Sequence, residues 1–114
     1  MIEGNEYQAL AARTINNDLS EGQKTFHALH GMAAEVGEIH SIYQKVFQGH
    51  EFDEYEIKKE LGDLLWFIAE YCTVQGWDLE DIMQMNIDKL KARYPEGFSE
   101  EKSINRKITD EFPY

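Results

Sequence analysis

The sequence is poor in the residues that cross-link a chain or interrupt a helix. Cys72 is the single cysteine, so a disulfide within the chain is impossible. Its place in an apolar run predicts a buried, inert thiol in a protein of a reducing compartment. The two prolines are Pro95 and Pro113, which leaves everything before them free of the strongest helix breaker. Long helices are therefore permitted over most of the chain.

Positive charge is also scarce. The chain has 11 Lys and Arg residues against 22 Asp and Glu residues, a formal net charge of −11. That charge disfavours a general nucleic-acid or anionic-membrane surface. The longest apolar-rich stretch, residues 61–74, is too short to span a bilayer and contains Asp63 and Glu70. Because the N-terminal residues also lack the features of a signal peptide, we expect a cytoplasmic protein with no nucleic-acid or membrane partner.

The length of 114 residues and the hydrophobic content of 42% suit one domain with its own core, and we expect a single domain over residues 1–114. Apolar periodicity and helix end signals, among them a capping box at Ser20 and Gln23, predict four helices. The tail over residues 95–114 is expected to be irregular, and alternating strand patterns are absent. The sequence therefore predicts an all-α, four-helix bundle, with helices at about residues 5–17, 20–48, 53–76 and 78–94.

The third predicted helix carries apolar residues nearly all round its axis over residues 61–74. A surface helix shows a single apolar stripe, so this segment is either a central core helix or a helix also buried against a second subunit. A small four-helix unit rarely surrounds its own central helix. We therefore expect the bundle to be completed by homo-oligomerisation, as a homodimer or homotetramer.

Two carboxylates break the apolar pattern of the second and third predicted helices. At about 100° per residue, Val46 falls within about 20° of Glu35, and Phe67 within about 20° of Glu60. A carboxylate on an apolar stripe loses hydration, so it must protonate, pair with a cation or bind a metal ion. Glu35 and Glu60 are therefore the candidate functional acids.

Each of these acids is followed three residues later by a second one, Glu38 and Asp63 respectively. If the two helices face each other, four carboxylates meet around one point. Oxygen ligands select hard ions, which indicates Mg²⁺, with Mn²⁺ as an alternative. A di-iron bundle would need Glu-x-x-His, a motif that none of the four histidines completes. From spacing alone, a hard-metal site and polar residues at helix edges both remain open.

Cations cluster on the fourth predicted helix, where Asn86, Lys89 and Arg93 share one face. Lys89 and Arg93 suit phosphate oxygens, although for each of them alone an ordinary solvated cation at a helix C-terminus is the better interpretation. Mg²⁺ commonly binds through few carboxylates together with substrate phosphates. The acidic and basic groups together therefore suggest a nucleotide polyphosphate as the ligand.

Three ordered motifs give the chain a family resemblance: Glu35-Val36-Gly37-Glu38, then Glu60-Leu61-Gly62-Asp63, then the run over residues 86–98. Over nearly its whole length the chain resembles MazG-like nucleoside triphosphate pyrophosphohydrolases of the all-α NTP pyrophosphatase superfamily. The resemblance implies hydrolysis of a nucleoside triphosphate to the monophosphate and pyrophosphate, by water attacking the α-phosphorus, often in nucleotide-pool house-cleaning. It implies Glu35, Glu38, Glu60 and Asp63 as metal ligands and catalytic residues, and Asn86, Lys89 and Arg93 as substrate contacts.

One departure from the family pattern is Ala34, which stands where many relatives have the first Glu of a doubled pair, a candidate general base. Water activation then rests on the metal, or on Glu35 or Glu38 acting beyond ligation. Two other functions stay open: a dimeric dUTPase-like activity, and a non-catalytic helical nucleotide-binding or interaction protein. The aromatic residues and histidine that would suit stacking on a base are Phe26, His30, Tyr43, Trp66 and Phe98.

Overall fold

The computed structural model describes residues 1–105 and, within them, has helices and no β-strand. This confirms the all-α prediction. The part of the predicted irregular tail over residues 106–114 lies outside the described residues. The helices are α1 (Gly4–Ala12), α2 (Glu21–Phe47), α3 (Glu54–Gln75), α4 (Leu79–Arg93) and α5 (Glu100–Ile104).

The two long helices start where their capping residues predict. At the start of α2 the Ser20 hydroxyl accepts a hydrogen bond from the backbone N–H of Gln23 (3.1 Å), and the Gln23 side chain accepts one from the Ser20 N–H (2.9 Å). At the start of α3 the Asp53 carboxylate accepts from the N–H groups of the next turn. Gly76 ends α3 with φ +77°, a left-handed conformation that glycine adopts without steric cost.

The structure corrects the expected end of the first helix, which stops at Ala12 rather than near residue 17. The Thr14 hydroxyl donates to the carbonyl of Ala11 (2.9 Å), and the Asn16 side chain accepts from the N–H of Asp18 (3.0 Å). Side chains that bond to nearby backbone groups in this way favour turns over helix. Local polar side chains therefore end α1 early.

The structure also corrects the expectation of an irregular segment after Pro95, because the short helix α5 lies within it. Ser99 caps this helix by accepting a hydrogen bond from the N–H of Lys102 (3.0 Å). The two glutamates that follow Ser99 suit the positive end of a helix dipole.

The chain divides into two compact units, Met1–Leu79 and Glu80 onward, and each is described by itself. In the first unit α3 packs against both α1 and α2. The predicted burial of Cys72 is confirmed, and burial raises the pKa of its thiol. The buried apolar side chains of this unit are small for the most part: Ala11, Ala28, Ala69, Cys72 and Leu79.

Helices α2 and α3 run antiparallel along a shared seam. His27 of α2 lies beside Glu70 of α3, and one turn further Gly31 faces Phe67. A side chain at Gly31 would overlap the Phe67 ring, so glycine allows the two helices to approach closely there. One more turn along the same seam brings α2 to Glu35.

Helix α1 is attached through Gln8, a buried polar side chain with three hydrogen bonds. Its amide nitrogen donates to the Thr73 hydroxyl (3.2 Å) and to the carbonyl of Trp77 (2.8 Å). Its amide oxygen accepts from the N–H of Leu79 (2.7 Å). Gln8 thus joins α1 to the end of α3 and to the first residue of α4.

Much apolar surface of the first unit is open. Although α3 packs against both α1 and α2, its Leu61 and Leu65 are 51% and 43% exposed. Phe47 at the end of α2 is 93% exposed. No helix among residues 1–105 combines the length and apolar character that a bilayer span requires.

Candidate metal centre

Three of the four predicted acidic residues come together between α2 and α3. One carboxylate oxygen from each of Glu35, Glu60 and Asp63 lies within 4.8 Å of the other two. In an octahedral Mg²⁺ site, with bonds of about 2.1 Å, ligand oxygens stand about 3 Å apart at right angles and about 4.2 Å apart across the ion. The three oxygens therefore need only a small inward movement to ligate one ion. We call this group the carboxylate cluster.

Glu35 is the carboxylate that most needs a cation. Its Oε2 atom is buried and has no hydrogen-bond partner among the described residues. The Glu60 carboxylate, which can accept a hydrogen bond from protonated Glu35, is the largest cause that raises the pKa of Glu35 to about 7, followed by burial and by the negative charges of Glu60, Asp63 and Glu38. Without a cation, Glu35 therefore holds a proton near neutral pH. A hard divalent ion fits this donor set, because it neutralises the charge and supplies the missing partner.

Glu38 lies one turn beyond Glu35 on α2, is exposed and is outside the carboxylate cluster. Its negative charge nevertheless contributes to raising the pKa of Glu35. The role of Glu38 as a ligand stays a prediction.

Tyr7 of α1 is a neighbour of the site that the periodicity did not indicate. Its phenol has a raised pKa, chiefly because of burial and further because of the negative charge of Asp63. The sequence indicates that Tyr7 shares one side of the first helix with Leu10 and Ala11, but it gives no sign that Asp63 of α3 lies near.

The predicted phosphate-binding residues lie on α4, in the second unit. Asn86, Lys89 and Arg93 share one face of that helix, with Asn86 exposed and the two cations half-buried. The guanidinium of Arg93 lies 5.7 Å from the centre of the Tyr94 ring. Their role in binding phosphate stays a prediction.

The carboxylate cluster offers three oxygen ligands of the kind that a hard divalent ion prefers. Residues 23–98, two thirds of the chain, match the model of the MazG nucleotide pyrophosphohydrolase domain. The protein therefore belongs to the MazG family, as its motifs predict, and membership implies a nucleotide pyrophosphohydrolase. The family generally uses a divalent metal, for which the carboxylate cluster is the candidate site.

A relative among curated proteins is the Gene 37 protein of Mycobacterium phage L5. It is 26% identical over 81 residues, which cover 67% of this chain and 71% of that protein. No solved structure matches the chain.

Proposed function

We propose that this protein is a Mg²⁺-dependent nucleoside triphosphate pyrophosphohydrolase that releases a nucleoside monophosphate and pyrophosphate, and that it removes surplus or non-standard nucleotides. The observation that carries the proposal is the carboxylate cluster, in which Glu35 has a buried oxygen without a partner. Such a group is costly unless a cation is bound, and family membership gives the class of reaction.

In this proposal Glu35, Glu60 and Asp63 hold the cation, with Glu38 as a further ligand. When bound, Mg²⁺ supplies charge neutralisation for the phosphate oxygens and water activation. Lys89 and Arg93 bind phosphate oxygens whose negative charge grows as the α-phosphorus is attacked, and Asn86 is a further substrate contact.

Ala34 cannot act as the general base that accepts a proton from the attacking water. Its methyl group takes no proton, and the side chain is exposed on α2. The proton of the attacking water therefore passes to bulk solvent or to a carboxylate of the site, Glu35 or Glu38. The proposal assigns no separate general base.

The test is a panel of canonical and modified nucleoside triphosphates, assayed with Mg²⁺, with Mn²⁺ and with EDTA, with pyrophosphate resolved from orthophosphate. We expect pyrophosphate as the product and no turnover in EDTA. Orthophosphate as the sole product would contradict attack at the α-phosphorus. No turnover, together with no shift of thermal stability by Mg²⁺, would favour a non-catalytic interaction protein.

Glu60→Gln is the matched variant, since it keeps the shape of the side chain and removes the charge. We expect activity to fall about a hundredfold or more, because the change removes a metal ligand. Glu54→Gln is the control: Glu54 lies at the exposed start of α3 and pairs with Lys58. Activity of Glu60→Gln within twofold of this control would refute the role of the carboxylate cluster.

We also propose that the chain assembles as a homodimer or homotetramer. The support is the apolar surface that the first unit leaves open, notably at Leu61, Leu65 and Phe47. Sedimentation equilibrium tests this proposal, and a stable monomer at micromolar concentration would contradict it.

A further inference from the structure

The contact between Gly31 of α2 and Phe67 of α3 lies one turn from the carboxylate cluster. Gly31 precedes Glu35 by four residues, and Phe67 follows Asp63 by four, which is about 6 Å along each helix. A methyl carbon at Gly31 would lie 2.6 Å from Cζ of the Phe67 ring and closer still to Cδ1 and Cε1. Carbon atoms in contact are about 3.5–4 Å apart, so no side chain larger than hydrogen fits at position 31 while the ring stays in place.

The Phe67 ring is held in place by its neighbours. It stands edge-on to the rings of His27 (5.5 Å between centres) and Trp66 (5.2 Å). The indole N–H of Trp66 in turn donates to the hydroxyl of Thr14 (2.9 Å). Nδ1 of His27 lies 2.9 and 3.0 Å from the two carboxylate oxygens of Glu70, whose side chain is 0% exposed. Because an Nδ1–H donates to this carboxylate in the neutral and in the charged imidazole alike, His27 keeps its place in both forms, and Phe67 has little room to move away from α2.

The spacing of α2 and α3 bears directly on the carboxylate cluster. One of its carboxylates comes from α2 and the other two come from α3, so the separation of the helices sets how far apart the oxygens lie. Mg²⁺ requires bonds of about 2.0–2.1 Å in a near-ideal octahedron, whereas Ca²⁺ accepts bonds of about 2.3–2.6 Å in a flexible geometry. Opposite ligand oxygens are therefore about 4.2 Å apart around Mg²⁺ and about 5 Å apart around Ca²⁺.

We propose that Gly31 and Phe67 are positioning residues that determine which ion the carboxylate cluster selects, because their contact holds α2 and α3 close enough for Mg²⁺. The inference rests on the proposed function, in which the cluster binds the cation. A methyl group at position 31 overlaps a ring that cannot retreat, so the helices must separate by about 1 Å to restore an ordinary contact. That displacement is as large as the difference between the two ligand spacings, so it weakens Mg²⁺ binding more than Ca²⁺ binding.

Three substitutions test the spacing. Gly31→Ala places the methyl group against the ring and pushes the helices apart. Phe67→Leu removes Cε1 and Cζ of the ring, so the double variant has room for the methyl group. Gly37→Ala is the control, because it makes the same change on α2 at a position where no atom lies within 4 Å of the added methyl group. Circular dichroism and urea unfolding establish that each variant is folded.

The measurement is calorimetric titration of each metal-free protein with Mg²⁺ and, separately, with Ca²⁺ at the same pH. The readout is the ratio of the Mg²⁺ association constant to the Ca²⁺ association constant, in which proton release from the cluster cancels. We expect Gly31→Ala to lower the Mg²⁺ affinity about tenfold or more and the Ca²⁺ affinity less than about threefold. We expect Gly37→Ala to keep the wild-type ratio.

The double variant separates spacing from stability. We expect its ratio to return to within about threefold of the wild-type ratio, because the methyl group no longer meets the ring. A general loss of stability would instead make the double variant worse than Gly31→Ala. An unchanged ratio in Gly31→Ala, or a double variant no better than Gly31→Ala, would overturn the inference and leave the proposed function intact.

If Gly31→Ala does not fold, Phe67→Leu alone takes its place. Without the ring the spacing of the helices is no longer fixed, so we expect the ratio to fall about threefold or more, and a wild-type ratio would overturn the inference. Nucleotide turnover does not enter this measurement, so Mg²⁺ binding without hydrolysis refutes the proposed reaction alone. A wild-type protein that binds neither ion refutes the carboxylate cluster as a metal site and the inference with it.

Discussion

Binding of Mg²⁺ to the carboxylate cluster is predicted to release a proton from Glu35, in an amount set by pH. The Glu60 carboxylate, which can accept a hydrogen bond from protonated Glu35, and burial raise the pKa of this carboxyl to about 7 in the metal-free protein. A group with that pKa is about nine-tenths protonated at pH 6 and about one-tenth protonated at pH 8. Because a ligating carboxylate is deprotonated, the apparent Mg²⁺ affinity should rise about tenfold between these pH values.

Isothermal titration calorimetry measures both quantities. Mg²⁺ is titrated at pH 6, 7 and 8, each in two buffers that differ in ionisation enthalpy, and the difference in heat gives the protons released. We expect about 0.9, 0.5 and 0.1 protons per ion at the three values. Glu54→Gln should give the same three values, since Glu54 lies outside the carboxylate cluster. Release near zero at pH 6, with a flat affinity, would refute the protonation assigned to Glu35.

The same proton links folding stability to pH. The pKa of Glu35 is about 7 in the folded protein against an ordinary 4.5, so the folded state holds the proton more tightly. The resulting stability is fully present below about pH 4.5 and is lost as pH rises through about 7, by no more than about 3 kcal/mol. In EDTA the melting temperature of the wild type, compared with that of Glu35→Gln, should therefore decrease as the pH is raised from 5 to 8. Parallel pH profiles for the two proteins would contradict this.

Two packing features give further predictions, both measured by urea unfolding. Gly31→Ala should lower the free energy of unfolding by about 1–3 kcal/mol, because the new methyl group overlaps Phe67. Gly37→Ala is the control, because no atom lies within 4 Å of a methyl group added there. It should be neutral or stabilising. Equal effects at both sites would contradict the close approach at Gly31. Gln8→Ala should cost about 2 kcal/mol, since it removes three hydrogen bonds and leaves the buried N–H of Leu79 without a partner; a loss below about 0.5 kcal/mol would count against this network.

The helix starts and the acids of the carboxylate cluster were predictable because each is encoded locally. Ser20 with Gln23, and Asp53 before α3, act through backbone groups within one turn. Glu35 and Glu60 were identified because helical geometry alone places them among apolar neighbours. The end of α1 was mispredicted because Thr14 bonds to the backbone rather than continuing the helix.

The pairing of His27 with Glu70 was not predictable in the same way, because it depends on the register between α2 and α3. A signal was present: Glu70 lies in the apolar segment over residues 61–74, seven residues after Asp63 and so on nearly the same side of α3. Which residue of α2 would face it depends on where the helices approach, and the contact at Gly31 sets that. The position of Glu38 outside the carboxylate cluster is likewise a matter of packing.

The seam between α2 and α3 also bears on the order of folding. The connection over residues 48–53 is short, so the contacts that bring Glu35 to Glu60 close a small loop. The hydrogen bonds of Gln8 instead join residues 65 to 71 positions apart. Since loop closure costs more entropy as loops lengthen, the helical hairpin should form before α1 attaches. In refolding kinetics, Gly31→Ala should slow folding whereas Gln8→Ala should chiefly speed unfolding, and the reverse pattern would show that α1 attaches first.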